Sequence, residues 1–393
     1  MKKILAFILT LFFITGCFSS IKFEKIKKDT SKFHKINVAE KIDGGILYYN
    51  GDELLYNKDG NITKLASNVT TLWKEDYNIY YVSSNILYNY NFKSKEIKKM
   101  VNNPHKILGK YKDYIITYSG RNIYKIKDNK KIKIFKDGYY LNRAILYKNK
   151  VYGIPASNVY EYNLDTLKVN KITKEKHDHC EITMIDDDLY ISTFKYKNKL
   201  RDKNNYTYFK VTDSGLKKVF IINRVSSSSI SKVAKNGFII TIVSNDYKRK
   251  GSKLLYYNGK KFKTIDKNYY YNVIGIYDNK LLYYKNTSYF GSEENNLKTF
   301  YLYDGKGNTK AFDLDVNYYE GLYGYEYDGG ILIELTYESS TSLYKYSNNK
   351  LEKLDIPYIF SIISLDIIDD KVYIKYSDGE ESTSILGTII ELS

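Results

Sequence analysis

Short apolar stretches rich in tyrosine recur along the chain, and polar turns separate them. Ile46-Leu47-Tyr48-Tyr49 is followed by Leu54-Leu55-Tyr56, and Leu281-Leu282-Tyr283-Tyr284 is followed by Phe300-Tyr301-Leu302-Tyr303. The repeat length is about 40 residues, which is typical of four-stranded units that bury their faces by stacking on one another. The pattern therefore predicts a chain built from such units.

One strand of the repeat aligns at nine places. An acidic residue, Asn or Gly precedes it, as in Asp278-Asn279 and Asp369-Asp370, and allows a tight reversal between antiparallel strands. Propellers typically have up to about eight blades, so the matches predict eight or nine units. The aligned strands begin near Ile46, Ile79, Ile115, Val151, Leu189, Phe238, Leu281, Ile331 and Val372.

The four strands of each unit differ in polarity. An apolar stretch such as Ile182-Thr183-Met184-Ile185 precedes the aligned strand, and we expect it to lie innermost, packed on both faces. The strand after the aligned one is rich in tyrosine, and the last, such as Lys130-Lys131-Ile132-Lys133-Ile134, is charged like an exposed edge. This gradation predicts an all-β fold, a single closed β-propeller of four-stranded blades.

The last unit has three strands after residue 360. Residues 21–27, with the sequence Ile-Lys-Phe-Glu-Lys-Ile-Lys, show the alternation and charge of an outer strand. We expect this N-terminal strand to complete the last blade, because that pairing would remove the open edges of the ring. The propeller itself is expected over residues 33–393.

The first residues predict an export signal. Met1-Lys2-Lys3 is basic, and residues 4–14 form an apolar run that is too short to span a membrane. Ile14-Thr15-Gly16-Cys17 resembles the bacterial lipoprotein processing box, which implies removal of residues 1–16 and a diacylglyceryl group on Cys17. Ordinary secretion is the alternative.

Acylation of Cys17 would decide the location of the protein. Two acyl chains give stable attachment, and residues 17–32 would then form the lipidated tether and the closing strand. Phe18, rather than an Asp, follows Cys17. We therefore expect an exported protein on the cell membrane, or on the outer membrane if the cell has two.

Two six-residue segments are close variants of one motif. They are Ile46-Leu47-Tyr48-Tyr49-Asn50-Gly51 and Leu254-Leu255-Tyr256-Tyr257-Asn258-Gly259. Over residues 33–393 the pattern resembles the YWTD-like, or lipoprotein-receptor-like, propeller domains of secreted bacterial proteins. The Trp of that motif is absent, and Trp73 is the single tryptophan. The resemblance implies a propeller and a binding role, and it carries over no catalytic residue.

The formal net charge is +17, from 62 Lys and Arg against 45 Asp and Glu. A basic surface favours anionic partners. Lysine is nevertheless spread through every repeat, which also fits a composition set by an AT-rich coding genome. An anionic polymer stays open as a partner, and nucleic acid is not expected.

The histidines occupy related places in the repeat. His105 and His179 each lie ten residues before the start of an aligned strand, and His34 lies twelve residues before one. His177 lies two residues before His179. We expect these positions to lie in the loops that connect an outer strand to the inner strand of the next blade, around the mouth of the central channel. Tyrosines occupy corresponding places, and His, Tyr and Asn there could bind sugars or peptides. The candidate ligand-binding residues are His34, His105, His177, His179, Tyr140, Tyr271 and Tyr319.

Long basic loops should open on the same face. We expect them to hold Lys199 and Arg201 in one loop and Lys248 and Arg249 in another, as an anion-binding surface. The alternative is that these loops are insertions without a role.

Two further clusters of metal-ligand or acidic residues are better explained as parts of the fold than as functional sites. His177-Asp178-His179-Cys180 contains metal-ligand types, but alternation along a strand would separate the histidines from Cys180. Asp186-Asp187-Asp188 is a blade turn. The chain has no phosphate loop, G-x-S-x-G, H-E-x-x-H or paired CxxC motif, so we expect no metal, cofactor or catalytic residue.

The sequence thus favours a membrane-anchored envelope lipoprotein whose propeller binds or scaffolds a glycan, peptide or protein ligand. The competing hypothesis is an envelope enzyme, a glycan- or peptide-cleaving hydrolase or lyase, with its site at the channel mouth. An enzyme would need at least two ionisable groups that converge there.

Overall fold

The computed structural model describes most of the chain as β-strands. None of the described residues forms a helix long and apolar enough to cross a membrane. The described residues are 23, 32–51, 53–119, 122–135, 143–154, 157–173, 179–185, 187–195, 204–234, 237–244, 250–286, 297–315, 321–337, 340–377, 379 and 385–392.

These residues form nine sheets of consecutive antiparallel strands, here called blades 1 to 9. A separate first strand, β1 (His34–Ile36), precedes them. Blades 1 to 3 contain β2 (Ala39–Ile42), β3 (Gly45–Asn50), β4 (Glu53–Lys58) and β5 (Asn61–Ser67); β6 (Val69–Glu75), β7 (Asn78–Ser83), β8 (Ile86–Asn91) and β9 (Glu96–Asn102); and β10 (Lys106–Tyr111), β11 (Tyr114–Ser119), β12 (Asn122–Lys127) and β13 (Lys130–Phe135).

The remaining blades follow the same order. Blades 4 to 6 contain β14 (Ala144–Tyr147), β15 (Lys150–Gly153), β16 (Tyr160–Asn163) and β17 (Val169–Lys171); β18 (His179–Ile185), β19 (Asp188–Lys195), β20 (Asn204–Thr212) and β21 (Gly215–Val225); and β22 (Ser227–Ala234), β23 (Gly237–Val243), β24 (Lys253–Tyr257) and β25 (Phe262–Lys267). Blades 7 to 9 contain β26 (Tyr270–Tyr277), β27 (Lys280–Asn286), β28 (Leu297–Tyr303) and β29 (Asn308–Asp315); β30 (Gly321–Tyr327), β31 (Gly330–Thr336), β32 (Thr341–Ser347) and β33 (Lys350–Lys353); and β34 (Ser361–Ile368), β35 (Lys371–Ser377) and β36 (Ile385–Glu391).

The predicted β-propeller is confirmed, with nine blades among the described residues. Each of the nine aligned positions falls in the second strand of a blade. The turns before these strands use the expected residues: Asp278 and Asn279 have φ angles of 46° and 58°, and Asp369 and Asp370 have 48° and 58°. Two consecutive positive φ angles are typical of the type I′ turn, whose twist matches antiparallel strands and which Asp and Asn tolerate.

In blades 8 and 9 the second strand is more buried than the innermost strand. In blade 8, every residue of β31 from Gly330 to Leu335 is buried. In blade 9, Leu365 is the one buried residue of the inner strand β34. The prediction that the innermost strands are packed on both faces is therefore wrong for blades 8 and 9, whereas the inner strand β26 of blade 7 buries five of its eight residues. An inner strand borders the central channel and meets solvent there, whereas a second strand lies between two neighbouring blades.

An apolar cluster fills the contact between each blade and the next. Between blades 7 and 8, for example, Ile274 and Leu282 pack with Ile331 and Ile333. The nine clusters join blades 1 to 9 in order and join blade 9 back to blade 1. Full burial of one such aliphatic side chain contributes roughly 1.5–3 kcal/mol, so the blades are held by side-chain packing.

The ring closes where blade 9 meets blade 1. Val38, Ala39 and Tyr48 of the first blade pack against Tyr373 of the last. The Asp366 carboxylate on β34 accepts hydrogen bonds from the backbone N–H groups of Val38 at 2.6 Å and Ala39 at 3.0 Å. This contact between the two ends of the ring is here called the seam.

The N-terminal segment does not bring Phe23 to the last blade. Phe23 is fully buried between blades 6 and 7, with its ring centroid 5.7 Å from that of Tyr256 and 5.9 Å from that of Tyr303. Its N–H donates to the Asn279 carbonyl. This corrects the expected closing strand at Phe23, because the apolar cluster buries the ring on all sides and an edge strand would leave one face exposed. The other residues of 21–27 lie outside the described residues.

Two local features shape the channel side of the seam. β1 adds a strand to the inner edge of blade 2, where Ile36 pairs with Leu72. The inner strands β6 and β34 each contain a bulge, between Val69 and Thr71 and between Ile362 and Ser364. The inner strand β2 between these blades has four residues, against seven and eight in its neighbours. Blade 1 therefore leaves a gap between two bulged strands.

Replacement of Asp366 tests the seam. Asp366→Ala should lower the free energy of unfolding by about 2–4 kcal/mol, because two backbone N–H groups lose a charged acceptor. Urea denaturation followed by tyrosine fluorescence measures the change. The exposed Asp355 is a matched control, and Asp355→Ala should stay within about 0.5 kcal/mol of the native protein. Equal effects of the two substitutions would contradict the role of Asp366 in closure.

Candidate functional site

The two faces of the ring differ in their connections. On the turn face, tight turns such as Asp43-Gly44, Asp278-Asn279 and Asp369-Asp370 join the first and second strands of a blade. On the opposite side, here called the upper face, each outer strand passes to the next inner strand, as at Asn68 and Asn103. The sequence places the candidate histidines and tyrosines at the upper face.

His105 and His179 lie at the upper face, but they belong to separate blades. His105 is exposed before β10, its ring 5.2 Å from that of Tyr124, and burial and the Lys131 charge lower its pKa. His179 begins β18 in blade 5 and is about half exposed. Its Nε2 is 3.6 Å from Glu181 Oε1, and Arg143 approaches the same oxygen at 3.6 Å. Each histidine thus has its own local partners.

His34 lies near the turn face, contrary to the prediction. β1 runs antiparallel to β6, and His34 pairs with Lys74, next to the turn that follows Glu75. The repeat count places His34 at the upper face because it assumes that the chain enters blade 1 directly. The extra strand β1 reverses the direction of the chain there and moves His34 to the other end of the channel.

His34, Glu40 and Lys74 form a half-buried charged cluster. His34 Nε2 is 3.2 Å from Glu40 Oε2, and Lys74 Nζ is 3.3 Å from Glu40 Oε1. The hydrogen bond to Glu40 raises the pKa of His34 against the opposing effect of burial. Burial also opposes ionisation of Glu40, but the hydrogen bond from His34 and the Lys74 charge outweigh it and lower the Glu40 pKa. The three groups satisfy one another.

Tyr271 does not face the channel. It is buried in the cluster between blades 6 and 7, where burial and then the Asp266 carboxylate raise its pKa. Tyr283 from the neighbouring strand donates to Asp266 Oδ2 at 2.9 Å. Tyr271 therefore packs two blades together rather than presenting a ligand-binding surface. The other predicted residues, Cys17, Tyr140, His177, Lys199, Arg201, Lys248, Arg249 and Tyr319, lie outside the described residues.

Cys180 is a buried structural thiol. It is 3% exposed in the cluster between blades 4 and 5, and its Sγ donates to the Ser157 carbonyl at 3.1 Å. Burial raises its pKa to about 11, which leaves little reactive thiolate near neutral pH. In the described part of the chain, no three His, Cys, Asp or Glu side chains lie close enough together to hold a metal ion.

Glu334 is a buried carboxyl that the sequence reasoning missed. It is 3% exposed, and burial raises its pKa. The Tyr325 hydroxyl donates to its Oε2 at 2.5 Å and the Thr336 hydroxyl donates to its Oε1 at 3.1 Å. The signal was present in Ile331-Leu332-Ile333-Glu334-Leu335, since an acidic residue interrupts an apolar run there. Both partners belong to blade 8, away from the histidines.

A polar pocket opens at the upper face of the seam and is here called the seam pocket. It occupies the gap above the short strand β2 and has a volume of about 260 Å³. The bulged residues Thr70 and Ile363 contribute to its wall, as bulges at the rims of barrels commonly do. It is lined by Lys35, Ile36, Asn37, Tyr49, Val69, Thr70, Thr71, Leu72, Ile363, Ser364 and Lys375.

A second cavity lies on the outer side of blades 4 and 5. Its volume is about 630 Å³, and Thr193, Thr207 and Phe209 are among its lining residues. Strands β16 and β17, on the blade 4 side of this cavity, have four and three residues. Glu161 at its edge accepts from Lys150 at 2.9 Å and from the Tyr152 hydroxyl at 3.3 Å, so this carboxylate is already neutralised.

No protein-family model and no curated protein sequence matches the chain. Solved structures with a similar fold include the Pyrococcus horikoshii acylaminoacyl peptidase, with 12% identity and a TM-score of 0.45 over 83% of this chain and 52% of that one. The β-propeller domain of the Trilobed protease from Pyrococcus furiosus has 14% identity and a TM-score of 0.41, over 83% and 95% of the two chains. Saccharomyces cerevisiae Sqt1 has 9% identity and a TM-score of 0.43, over 74% and 84%.

The chain spans about half the length of that acylaminoacyl peptidase. None of these likenesses assigns a role to a residue of this chain, because a propeller fold hosts many unrelated functions.

The His34 cluster predicts a pH-dependent stability. The raised pKa of His34 stabilises the folded protein at pH values below 6.5, the ordinary pKa of histidine, and this stabilisation is lost as the pH rises through the pKa of the folded state. The lowered pKa of Glu40 stabilises the folded protein at pH values above 4.5, the ordinary pKa of glutamate. His34→Gln should therefore destabilise the protein most between these values, by about 0.5–1 kcal/mol at pH 5.5, and much less at pH 8.5. Urea denaturation at both pH values measures this.

His105→Gln is the matched control with the opposite sign. Since the folded state lowers the pKa of His105, removal of that histidine should leave stability at pH 5.5 unchanged or slightly higher. A loss of stability in His34→Gln that is equal at both pH values would contradict the ionic role of the cluster.

Proposed function

We propose that the protein is an exported bacterial lipoprotein, held at a membrane by acylated Cys17, whose propeller binds an envelope ligand without catalysing a reaction. The ligand is a glycan, a peptide or a protein. The basic start of the chain, the short apolar run and Ile14-Thr15-Gly16-Cys17 support the anchor. The YWTD-like resemblance agrees with a binding role and stays a prediction.

The distribution of ionisable groups is the observation that carries this proposal. His34 and Glu40 lie near the turn face of blades 1 and 2, His179 lies in blade 5, and the buried Glu334 lies in blade 8. Cleavage of a glycan or peptide would require at least two such groups free to act on one substrate, whereas His34 and Glu40, which do meet, are engaged with each other and with Lys74. A polar pocket does form at the seam, where lysine, hydroxyl and aromatic side chains meet, and such a lining suits binding.

Replacement of Cys17 tests the lipid anchor. Cys17→Ser should move the protein from the detergent phase to the aqueous phase after detergent phase separation of whole cells, because the two acyl chains supply the membrane affinity. Cys180→Ser is the matched control and should remain in the detergent phase. Retention of Cys17→Ser in the detergent phase would contradict the lipid anchor.

Binding without turnover predicts the fate of a captured ligand. Full-length protein reconstituted through its anchor into vesicles should retain a component of solubilised envelope material, and mass spectrometry should recover that component with unchanged mass. Vesicles without protein provide the background. Progressive accumulation of shortened glycan or peptide products during incubation would instead support the hydrolase or lyase alternative.

A further inference from the structure

The seam pocket carries an excess of positive charge. Lys35 from β1 and Lys375 from β35 both line it, and no acidic residue is among the described residues of its wall. A carboxylate of the seam, Asp366, is engaged by the N–H groups of Val38 and Ala39 and by the side-chain amide of Asn37. The pocket therefore offers two cations to whatever enters it, without a resident carboxylate to neutralise them.

Lys375 is held in an environment that disfavours its charge. Its Nζ lies 4.0 Å from the centroid of the Tyr49 ring, and within the described ranges it forms no ion pair. Burial, and then the charge of Lys35, lower the pKa of Lys375. Two other lysines that are largely buried have acidic partners: Lys74 contacts Glu40, and Lys150 contacts Glu161. A bound anion would supply the negatively charged partner that Lys375 lacks in this pocket.

The other lining groups suit an oxyanion. The wall includes the hydroxyl side chains of Thr71 and Ser364 and the amide of Asn37, all capable of donating hydrogen bonds. Lysine is an effective phosphate binder as a compact point charge. The volume of about 260 Å³ is below the roughly 300–1,000 Å³ of pockets for drug-sized ligands, so the occupant is small.

We propose that the seam pocket binds a phosphate group, with Lys35 and Lys375 as its charged ligands. A doubly charged phosphate matches two lysines better than a singly charged carboxylate does. This inference rests on the proposed binding function and specifies the chemical class of its ligand. The phosphate is either the free ion or the end group of a phosphate ester.

Calorimetric titration of the full-length protein in detergent tests the proposal. The probes are inorganic phosphate, glycerol 3-phosphate and acetate, each at pH 7.5 and at constant ionic strength adjusted with chloride. Phosphate or glycerol 3-phosphate should bind saturably with one equivalent per chain. Lys375→Met and Lys35→Met should each weaken this binding at least about tenfold, since a hydrogen bond to a charged group is lost.

Two further variants serve as controls. Lys350→Met removes a charge from the exposed outer strand β33 and should leave affinity unchanged within about twofold, which separates local binding from the net charge of the protein. Lys375→Arg keeps the charge and should retain measurable binding. Lys35→Met changes an exposed side chain, so it tests the pocket even if Lys375→Met fails to fold.

The outcomes separate the sources of the phosphate. Equal affinity for the two phosphates supports the free ion, and tighter binding of glycerol 3-phosphate supports an ester. The proposal is overturned if neither phosphate binds, if acetate binds as tightly, or if the pocket variants bind like Lys350→Met. Capture of an intact envelope component by a protein that binds neither phosphate in the calorimeter would leave the binding function standing and remove the phosphate site.

Discussion

The contact between Asp366 and the start of blade 1 is the constraint on which the ring depends. Eight of the nine apolar clusters join blades that are consecutive along the chain, but the ninth joins its two ends. In the described residues, no strand from the N-terminal end joins the three strands of blade 9. Closure therefore comes from packing and from polar contacts, among them the Asp366 carboxylate, which accepts two backbone hydrogen bonds, and the ion pair between Lys41 and Asp369. Because a ring transmits strain to every interface, a weak seam would loosen all the blades.

The seam also explains why the polar pocket lies where it does. Within a blade, the second strand is packed on both sides and admits no solvent. Where the ends meet, β2 is shorter than the strands on either side and both neighbours are bulged. Backbone irregularity there opens a space that regular blades exclude. Elsewhere, several largely buried lysines are paired with carboxylates within or between adjacent blades, as with Lys74 and Glu40.

Local patterns predicted the fold well. The turn residues and the alternation of the second strands depend on neighbours a few positions away, so the aligned positions predict eight or nine blades, and all nine positions fall in second strands. Local patterns do not predict the burial of inner strands, because that burial depends on whether the strand meets solvent in the channel. The side of the ring that His34 occupies depends on β1, a strand that belongs to no repeat. Lys35 and Lys375 come together only because the ring closes, and their separation in sequence conceals the pocket.

The burial of Phe23 has a consequence for how the protein would stand on a membrane. Phe23 lies six positions after Cys17 in the chain, and six extended residues span at most about 20 Å. Under the proposed acylation of Cys17, this short linker would hold the edge of blades 6 and 7 close to the lipid, with the turn at Asn279 nearest to the membrane. Such an attachment would favour an orientation of the propeller with the turn face toward the membrane. Its seam pocket would open away from the bilayer, toward molecules arriving from outside the cell.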